Sequence, residues 1–312
     1  MPTSIIITAR DEDPGMLKAT LEGLRATTPG LPIEVIVVDD GSTLPIESRA
    51  IGDARLIRHP TPRGVCESRR IGAQLAAGDV LVWLDAHMSF GKNWLAQLLV
   101  QTHTDSLVCS PFWSYDLKDC LCWGADFTWN GERNLASGKS PGFGVHHRVE
   151  PPQAAAVEVP MVIGACYAMH REAYSRLGGF CPHFKVWGID EQDMSARAWM
   201  ARLSVVCATH VQVGHFSRKA FPYPVNFEHL EFNQLVMIRS LFDSHTAKQL
   251  EAPFQPMLPV VESWLSDLDL IPWRKSVQRR RKISDREFFA RFVPPLEKGA
   301  PIKSRAGRGQ SA

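Results

Sequence analysis

Several features that would assign this 312-residue sequence to a class at once are missing. No apolar run approaches the ~18 residues that a membrane-spanning helix needs. The start, "MPTSIIITARDED", follows its short apolar run with acids, unlike a secretory signal peptide. The seven cysteines are odd in number and scattered over a large chain, which is typical of reduced thiols. We therefore expect a cytoplasmic protein with no stable membrane insertion.

Motifs for two common kinds of enzyme chemistry are also missing. The chain contains no GxxxxGK[ST] phosphate loop and no GxGxxG turn, so it supports neither a P-loop ATPase nor a dinucleotide oxidoreductase. It has no GxSxG segment that would place a nucleophilic serine. The net charge of +2 creates no overall field that requires a polyanionic partner, although basic residues concentrate at Arg274–Lys282.

Strand and helix patterns alternate over the first hundred residues. The apolar or β-branched runs are "SIIITA", "IEVIVVDD", "ARLIRH" and "DVLVWLD". Between them lie helical patterns such as "GVCESRRIGAQLAAG", which ends at a glycine. This alternation predicts βαβ units and an α/β fold with a mostly parallel central sheet. Binding sites in such sheets gather at the carboxyl ends of the strands.

The rest of the chain is less regular. Residues 110–160 are rich in glycine, proline and tryptophan, so we expect an irregular excursion or a β-ribbon beside the sheet. Further on, "VIGACYAMHREAYSRLGGF" predicts a strand and a short helix, "DEQDMSARAWMARL" a helix, and "SVVCATHVQVGHF" strand structure. Two or three helices are predicted after Pro224. We divide the chain into a domain of residues 1–223, a helical extension packed on it over residues 224–293, and a disordered tail over residues 294–312.

Acidic side chains stand at the ends of several predicted strands. Each group alone has an ordinary structural explanation, because "DDGS" is a common turn and an aspartate often caps a helix. In a parallel sheet, however, strand ends of this kind converge on one crevice. The acids are Asp39 and Asp40 after the second strand, Asp85 after the fourth, and Asp190, Glu191 and Asp193 at the start of a later helix.

Asp85 and His87 could bind one ion from a turn, because they are two residues apart and can point the same way. This oxygen and nitrogen set suits Mn²⁺ or a similar divalent cation better than Ca²⁺, which prefers oxygen ligands. His215 is the candidate third ligand, although a lone histidine is more often an ordinary core residue. Arg218 and Lys219 follow it, and a divalent ion beside two fixed cations describes a diphosphate site.

The chain resembles the catalytic domain of the polypeptide N-acetylgalactosaminyltransferases over residues 4–223. The resemblance implies a GT-A (Rossmann-like) fold, a UDP-sugar donor, a Mn²⁺ cofactor and transfer with retention of configuration. The D-x-H element together with the distant "VGH" is more specific than the "VVDD" turn, which many GT-A transferases share. The matching segments, in order, are "SIIITARDED", "IEVIVVDDGS", "RGVCESRRIGA", "VLVWLDAHMSF", "VIGACYAMHREAYSRLGGF", "VWGIDEQDMSARAWM" and "VGHFSRKAFPY".

The resemblance also implies roles for individual residues. The metal ligands would be Asp85, His87 and His215, and the donor would contact Thr8, Asp40, Arg69, Asp85, Trp187 and Tyr223. Catalytic roles would fall to Asp190 and Glu191 beside the transferred sugar and to Arg218 and Lys219 at the diphosphate. The family's "WGGEN" is "WGIDE" here and its "GG" is "GA" at Gly164–Ala165, so the pocket for the sugar hydroxyls is altered.

We predict a metal-dependent glycosyltransferase that moves a sugar from a UDP-sugar to an acceptor hydroxyl on a polypeptide, a glycan or a modified DNA base. We favour retention of configuration; an inverting reaction would instead use Asp190, Glu191 or Asp193 as a general base. Two alternatives stay open. One is the same chemistry on a hydroxymethylated base of DNA, whose backbone Arg274–Lys282 would hold. The other is a catalytically inactive nucleotide-sugar-binding module.

Overall fold

A computed structural model describes residues 2–133 and 140–292, and those residues form fourteen strands and ten α-helices. The strands are β1 (Thr3–Ala9), β2 (Ile33–Asp39), β3 (Arg55–Arg58), β4 (Val80–Asp85), β5 (Met88–Phe90), β6 (Ser106–Cys109), β7 (Phe112–Ser114), β8 (Cys120–Cys122), β9 (Ala125–Asn130), β10 (Gly142–His147), β11 (Ala156–Glu158), β12 (Cys166–His170), β13 (Ser204–Ala208) and β14 (Val213–His215). The helices are α1 (Pro14–Thr27), α2 (Val65–Leu75), α3 (Trp94–Gln101), α4 (Arg171–Leu177), α5 (Asp190–Met200), α6 (Phe227–Leu241), α7 (Ser244–Glu251), α8 (Pro259–Ser266), α9 (Ile271–Arg280) and α10 (Asp285–Phe292).

The central sheet contains eight of the described strands in the order β11-β13-β6-β12-β4-β1-β2-β3. β12 lies antiparallel between β4 and β6, and β11 lies antiparallel to β13 at the edge, while the other six strands share one direction. The predicted α/β fold with a mostly parallel sheet is therefore confirmed. The four predicted strands of the first hundred residues are β1 to β4.

The central strands are apolar along their whole length because both faces of the sheet are covered. Alternate residues of one strand enter different hydrophobic clusters: Ile6 and Trp83 face one, and Ile5 and Val82 face the other, all fully buried. Helices α1 and α3 pack on the second face, and α2, α4 and α5 on the first. Helix α1 has ordinary start signals: Pro14 lies in its first turn, and the Asp13 side chain accepts a hydrogen bond from the amide of Met16 at 3.0 Å.

A small second sheet and a ribbon lie beside the central sheet. The small sheet has the order β5-β14-β7-β8, and the ribbon pairs β9 with β10. The strand-like segment "SVVCATHVQVGHF" is two strands, because a turn at Thr209–His210 separates β13 in the central sheet from β14 in the small one. Residues 110–160 therefore contain a β-ribbon, one of the two structures that their composition predicted. They also contain short strands that the composition did not predict.

The C-terminal part of the described chain forms five helices, α6 to α10, where the sequence predicted two or three. The missed helices α7 and α9 are mostly polar, and each buries only two side chains, Ala247 and Leu250 in α7 and Trp273 and Val277 in α9, so their apolar faces are too small to recognise in the sequence. One continuous hydrophobic cluster runs from Trp83 of the sheet to Phe242, the residue after α6, and Phe288 of α10. None of the described helices has the length and apolar character needed to cross a membrane. The predicted tail, residues 294–312, lies outside the described residues.

Candidate functional site

A cavity of about 640 Å³ opens at the carboxyl ends of β1 and β4. It lies where the sheet topology leads one to expect a ligand site. Asp40, Asp190 and Asp193 are the three residues with sequence-predicted roles that do not line it. The ten predicted residues that do are Thr8, Arg69, Asp85, His87, Trp187, Glu191, His215, Arg218, Lys219 and Tyr223.

Asp85, His87 and His215 converge on one point of this cavity. Strand β5 pairs antiparallel with β14 and sets His215 opposite Met88, the residue after His87. The Nε2 atoms of the two histidines are 3.0 Å apart, and His215 Nε2 is 3.3 Å from an Asp85 carboxylate oxygen. One potential ligand atom from each of the three lies within 4.8 Å of the other two. The pairing of two three-residue strands thus brings together residues that are 128 positions apart.

The Asp85 carboxylate is stabilised in its charged form. Burial would raise its pKa, but the hydrogen bond from His215 and the charge of Arg69 lower the pKa of Asp85 below its ordinary value. Asp85 therefore offers a deprotonated oxygen at neutral pH, which a divalent cation requires.

Arg69 of α2 lies behind this group, and its side chain is 4% exposed. Its guanidinium is 3.2 Å from Asp85 and 3.4 Å from Glu191, and it also pairs with Asp190. Burial, and the charge of neighbouring Asp190, raise the pKa of Glu191 above its ordinary value. Among the acids at the start of α5, Glu191 is the one that lines the cavity.

Glu12 and Arg218 close one side of the site. Glu12 Oε2 lies 2.8 Å from His87 Nδ1, and Glu12 Oε1 pairs with the Arg218 guanidinium. The side chain of Glu12 is 3% exposed. Hydrogen bonds from His87 and Arg218 outweigh the effect of burial and lower the pKa of Glu12.

Aromatic side chains from two segments form the outer rim. The ring of Trp187, which is 38% exposed, lies 4.9 Å from that of Phe221, and Phe221 lies 5.8 Å from Tyr223. The Arg10 guanidinium stacks 4.4 Å above the Tyr223 ring. Burial raises the pKa of Tyr223 to about 12, so its hydroxyl keeps its proton at neutral pH.

The remaining acids that were expected at the crevice serve the surrounding structure. Asp40 is 4% exposed and accepts hydrogen bonds from the amides of Arg63 at 2.8 Å and Gly64 at 2.9 Å. Asp39 accepts one from the amide of Ser42 at 2.8 Å, which is the turn that "DDGS" predicts. The predicted convergence therefore does not extend to either residue: both carboxylates stabilise loops behind the cavity.

Asp193 and Asp190 also lie away from the cavity surface. Asp193 pairs with Arg197 one helical turn later, at 2.6 Å, and both side chains are buried. Asp190 is 1% exposed and pairs with Arg69. Each carboxylate faces a guanidinium and packed protein, so neither is placed to meet a ligand directly.

The sequence matches the profiles of two protein families. Residues 4–178, more than half of the chain, match the profile described as "Glycosyl transferase family 2". The chain belongs to this family. Residues 146–219, which include Trp187, Glu191 and His215, also match the profile described as "N-terminal domain of galactosyltransferase".

Relatives within the family confirm the resemblance drawn from the motifs. Polypeptide N-acetylgalactosaminyltransferase 8 of Drosophila melanogaster is 32% identical over 231 residues, which are 69% of this chain and 38% of that protein. Polypeptide N-acetylgalactosaminyltransferase 11 of Xenopus tropicalis is 28% identical over 268 residues, which are 78% of this chain and 43% of that protein. The chain thus spans less than half the length of these curated relatives.

A solved structure of similar fold confirms the GT-A architecture. GalNAc-T7, crystallised with UDP, GalNAc and Mn²⁺, superposes with a TM-score of 0.72 and 20% sequence identity. The alignment covers 93% of this chain and 56% of GalNAc-T7. The region of common fold therefore includes most of the C-terminal helical part of this chain.

Sequence reasoning missed two charged residues of this glycosyltransferase-family site, Arg10 and Glu12. Both follow β1 within "ARDED" and line the cavity. Glu12 could have been found from the sequence, because it is an acid at the carboxyl end of a parallel strand, which is the criterion that selected Asp85. That criterion was not applied to β1, although acids also follow that strand.

Proposed function

We propose that the chain is a metal-dependent glycosyltransferase that moves a sugar from a UDP-sugar to an acceptor hydroxyl. The observation that carries this proposal is the convergence of Asp85, His87 and His215 beside Arg218 and Lys219 in a cavity at the strand ends. A nucleotide-sugar donor is a diphosphate, and cationic side chains around a metal site match its charge.

The residues present fit Mn²⁺ or a similar divalent cation. Two imidazole nitrogens and one carboxylate oxygen form a mixed donor set of the kind such ions accept. The Nε2 atoms of His87 and His215 are 3.0 Å apart, so both nitrogens would be able to face one ion. When bound, the ion supplies Lewis-acid stabilisation of the leaving diphosphate.

The chain's own cations complete that stabilisation. Arg218 and Lys219 follow His215 closely and line the same cavity, so their charges are available to the diphosphate of a bound donor. Trp187 and Tyr223 form the rim over the donor and exclude water from it. Fixed charges in a water-poor cavity stabilise a leaving group more strongly than they would in bulk water.

We further propose that the transfer retains configuration. An inverting enzyme of this fold needs a carboxylate base facing the acceptor hydroxyl. Asp190 and Asp193 pair with Arg69 and Arg197 away from the cavity surface, and the Glu191 carboxylate also lies 3.4 Å from the Arg69 guanidinium. Because α5 offers no free base, these observations support retention better than inversion. In a retaining transfer the acceptor attacks the face from which the diphosphate leaves.

The acceptor that we propose is a hydroxyl on a polypeptide. The relatives are named polypeptide N-acetylgalactosaminyltransferases, although the chain spans less than half their length. The DNA alternative rested on Arg274–Lys282, where Arg274 bonds the carbonyl of Arg239 and Arg281 pairs with Asp285. Those guanidiniums hold helices together, so the cluster gives no support to a DNA acceptor.

A cytoplasmic location stays part of the proposal, supported by seven unpaired cysteines.

Release of UDP from a panel of UDP-sugars, with Mn²⁺ and with EDTA, tests the proposal. We expect release with at least one donor, loss of that release in EDTA, and recovery when excess Mn²⁺ is added. NMR of the product linkage then tests the stereochemistry, and a β-linkage from an α-linked donor would overturn retention. Absence of release with every donor in the presence of Mn²⁺ and peptide acceptors would favour the inactive binding module.

A further inference from the structure

Glu12 has no assigned role, yet both of its carboxylate oxygens contact residues on which the proposed function depends. Oε2 lies 2.8 Å from Nδ1 of His87, and Oε1 pairs with Arg218. The side chain is 3% exposed, so bulk water does not replace these contacts. Placing a buried carboxylate here costs free energy, and two specific partners offset that cost.

The contact with Glu12 determines which nitrogen of His87 carries the proton. A carboxylate only accepts hydrogen bonds, so a 2.8 Å contact requires a proton on Nδ1. Arg218 also lies 3.2 Å from Nδ1, but a guanidinium only donates, so its partner is the carboxylate rather than the protonated nitrogen. In the neutral ring Nε2 then carries the lone pair, and it lies 3.0 Å from Nε2 of His215.

Glu12 also neutralises Arg218 close to the candidate metal ligands. Without Glu12, the guanidinium would remain 3.2 Å from the His87 ring as an uncompensated positive charge. Such a charge repels a cation bound at Nε2 of the same ring.

We propose that Glu12 is a positioning residue that couples the metal site to Arg218. One carboxylate oxygen holds His87 with Nε2 free to bind the cation, and the other holds Arg218 at the cavity until a diphosphate takes its place. This inference rests on the proposed function and deepens it. Carboxylates that hold metal-binding histidines in this way typically change metal affinity by about 10- to 100-fold when removed.

The tautomer of His87 gives a test that does not depend on activity or metal. Imidazole ¹⁵N NMR of the metal-free protein, with His87 assigned by its loss in His87→Gln, should show a proton on Nδ1 in the wild type. In Glu12→Ala the proton should shift toward Nε2. The matched control is Glu22→Gln, since that side chain is 63% exposed on α1. A wild-type His87 with its proton on Nε2 would overturn the inference.

Mn²⁺ binding by calorimetry tests the coupling to Arg218. We expect about 10- to 100-fold weaker binding in Glu12→Ala, an intermediate loss in the nearly isosteric Glu12→Gln, and no change in Glu22→Gln. In the Glu12→Ala background, Arg218→Ala should restore Mn²⁺ affinity several-fold, because it removes the uncompensated cation. In the wild-type background the same change should have little effect. Circular dichroism of each variant establishes that it is folded.

The outcomes separate this inference from the proposed function. If the wild type fails to bind Mn²⁺, both are overturned. If the wild type binds Mn²⁺ and Glu12→Ala binds it within twofold as tightly, the inference alone fails and the proposed function stands. Strict additivity of Glu12→Ala and Arg218→Ala would show that the two residues act independently, and would also overturn the coupling.

Discussion

Arg69 contacts three carboxylates, two of which come from the start of α5 and one from the end of β4. The pKa of Arg69 is raised because its acidic neighbours and Tyr167 outweigh the effect of burial. One guanidinium against three carboxylate groups leaves an excess of negative charge next to the histidines, unless one acid holds a proton. A divalent cation would relieve that excess, which explains why so many acids are tolerated in so small a volume.

The metal ligands give the first prediction at the residue scale. Asp85→Ala and His215→Ala should each abolish Mn²⁺-dependent release of UDP, because two ligands do not hold the cation in place. The control is His245→Ala at an exposed position on α7. Thermal melting should show each variant folded. Turnover at the wild-type rate in either site variant would contradict the assignment.

Glu191 gives a prediction about pH. Its raised pKa means that the folded protein takes up a proton more readily than the unfolded chain does, so its contribution to stability is present at low pH. That contribution is lost as pH rises above the ordinary value of 4.5 toward the raised one. Relative to the wild type, Glu191→Gln should therefore become more stable with rising pH, by up to about 1.4 kcal/mol per pH unit. Urea unfolding of both proteins at about pH 5 and pH 8 measures the difference, and parallel profiles would contradict it.

At the scale of elements, the turn before α2 joins two loops that frame the site. Asp40 accepts a hydrogen bond from the Gly64 amide at 2.9 Å, and the Val65 amide donates to the carbonyl of Val186 at 2.9 Å. Val186 precedes Trp187 and α5. The turn thus fixes the start of α2, which carries Arg69, against the segment that carries the rim.

Gly64→Ala tests this junction. Gly64 has φ +95, and an added Cβ would lie 2.8 Å from the backbone nitrogen of Val186, so we expect a loss of about 2 kcal/mol or more in unfolding free energy. Gly30→Ala is the matched control, because Gly30 also has positive φ (+72) but nothing within 4 Å. It should cost only the backbone strain of about 1 kcal/mol. Equal losses in urea unfolding would show that the contact with Val186 is unimportant.

Prediction from sequence worked best for elements with their own start and stop signals. Helix α1 has its cap and proline, and β1 and β4 are continuous apolar runs, so each is recognisable alone. Strands β5 and β14 are three residues long and carry no period, yet their pairing brings His215 to Asp85. His215 was selected because it lies just before Arg218 and Lys219, and the family resemblance supported that choice, whereas periodicity could not show that it meets Asp85. Asp40 was placed at the donor by resemblance, and the structure shows its oxygens bonded to backbone amides that no local pattern predicts.

At the scale of the whole molecule, the C-terminal helices share the core of the sheet. Phe288 of α10 is fully buried and its ring lies 5.5 Å from that of Phe127 in the ribbon and 6.0 Å from that of Phe242. The ribbon strand β10 and helix α6 both supply walls of the cavity. Aromatic packing therefore links the last helix to the site through the ribbon and α6.

Phe288→Ala should destabilise the whole chain by about 3–5 kcal/mol, because it leaves a cavity among several aromatic rings. Leu44→Ala is the control, since Leu44 is 82% exposed, and it should change unfolding free energy by no more than about 0.5 kcal/mol. A single unfolding transition seen both by circular dichroism and by tryptophan fluorescence would show that the helices unfold together with the sheet. A separate early transition in the wild type would mean that the helices unfold independently of the sheet.

The antiparallel strand β12 lies between β4 and β6, so the middle of the sheet cannot form until residues 166–170 have been synthesised. Before Cys166 has emerged from the ribosome, β4 of the nascent chain has one unpaired edge and β6 has two unpaired edges. Bare apolar edges are templates for pairing with other chains. The period between the emergence of β6 and that of β12 is therefore when a chaperone would protect this protein most effectively.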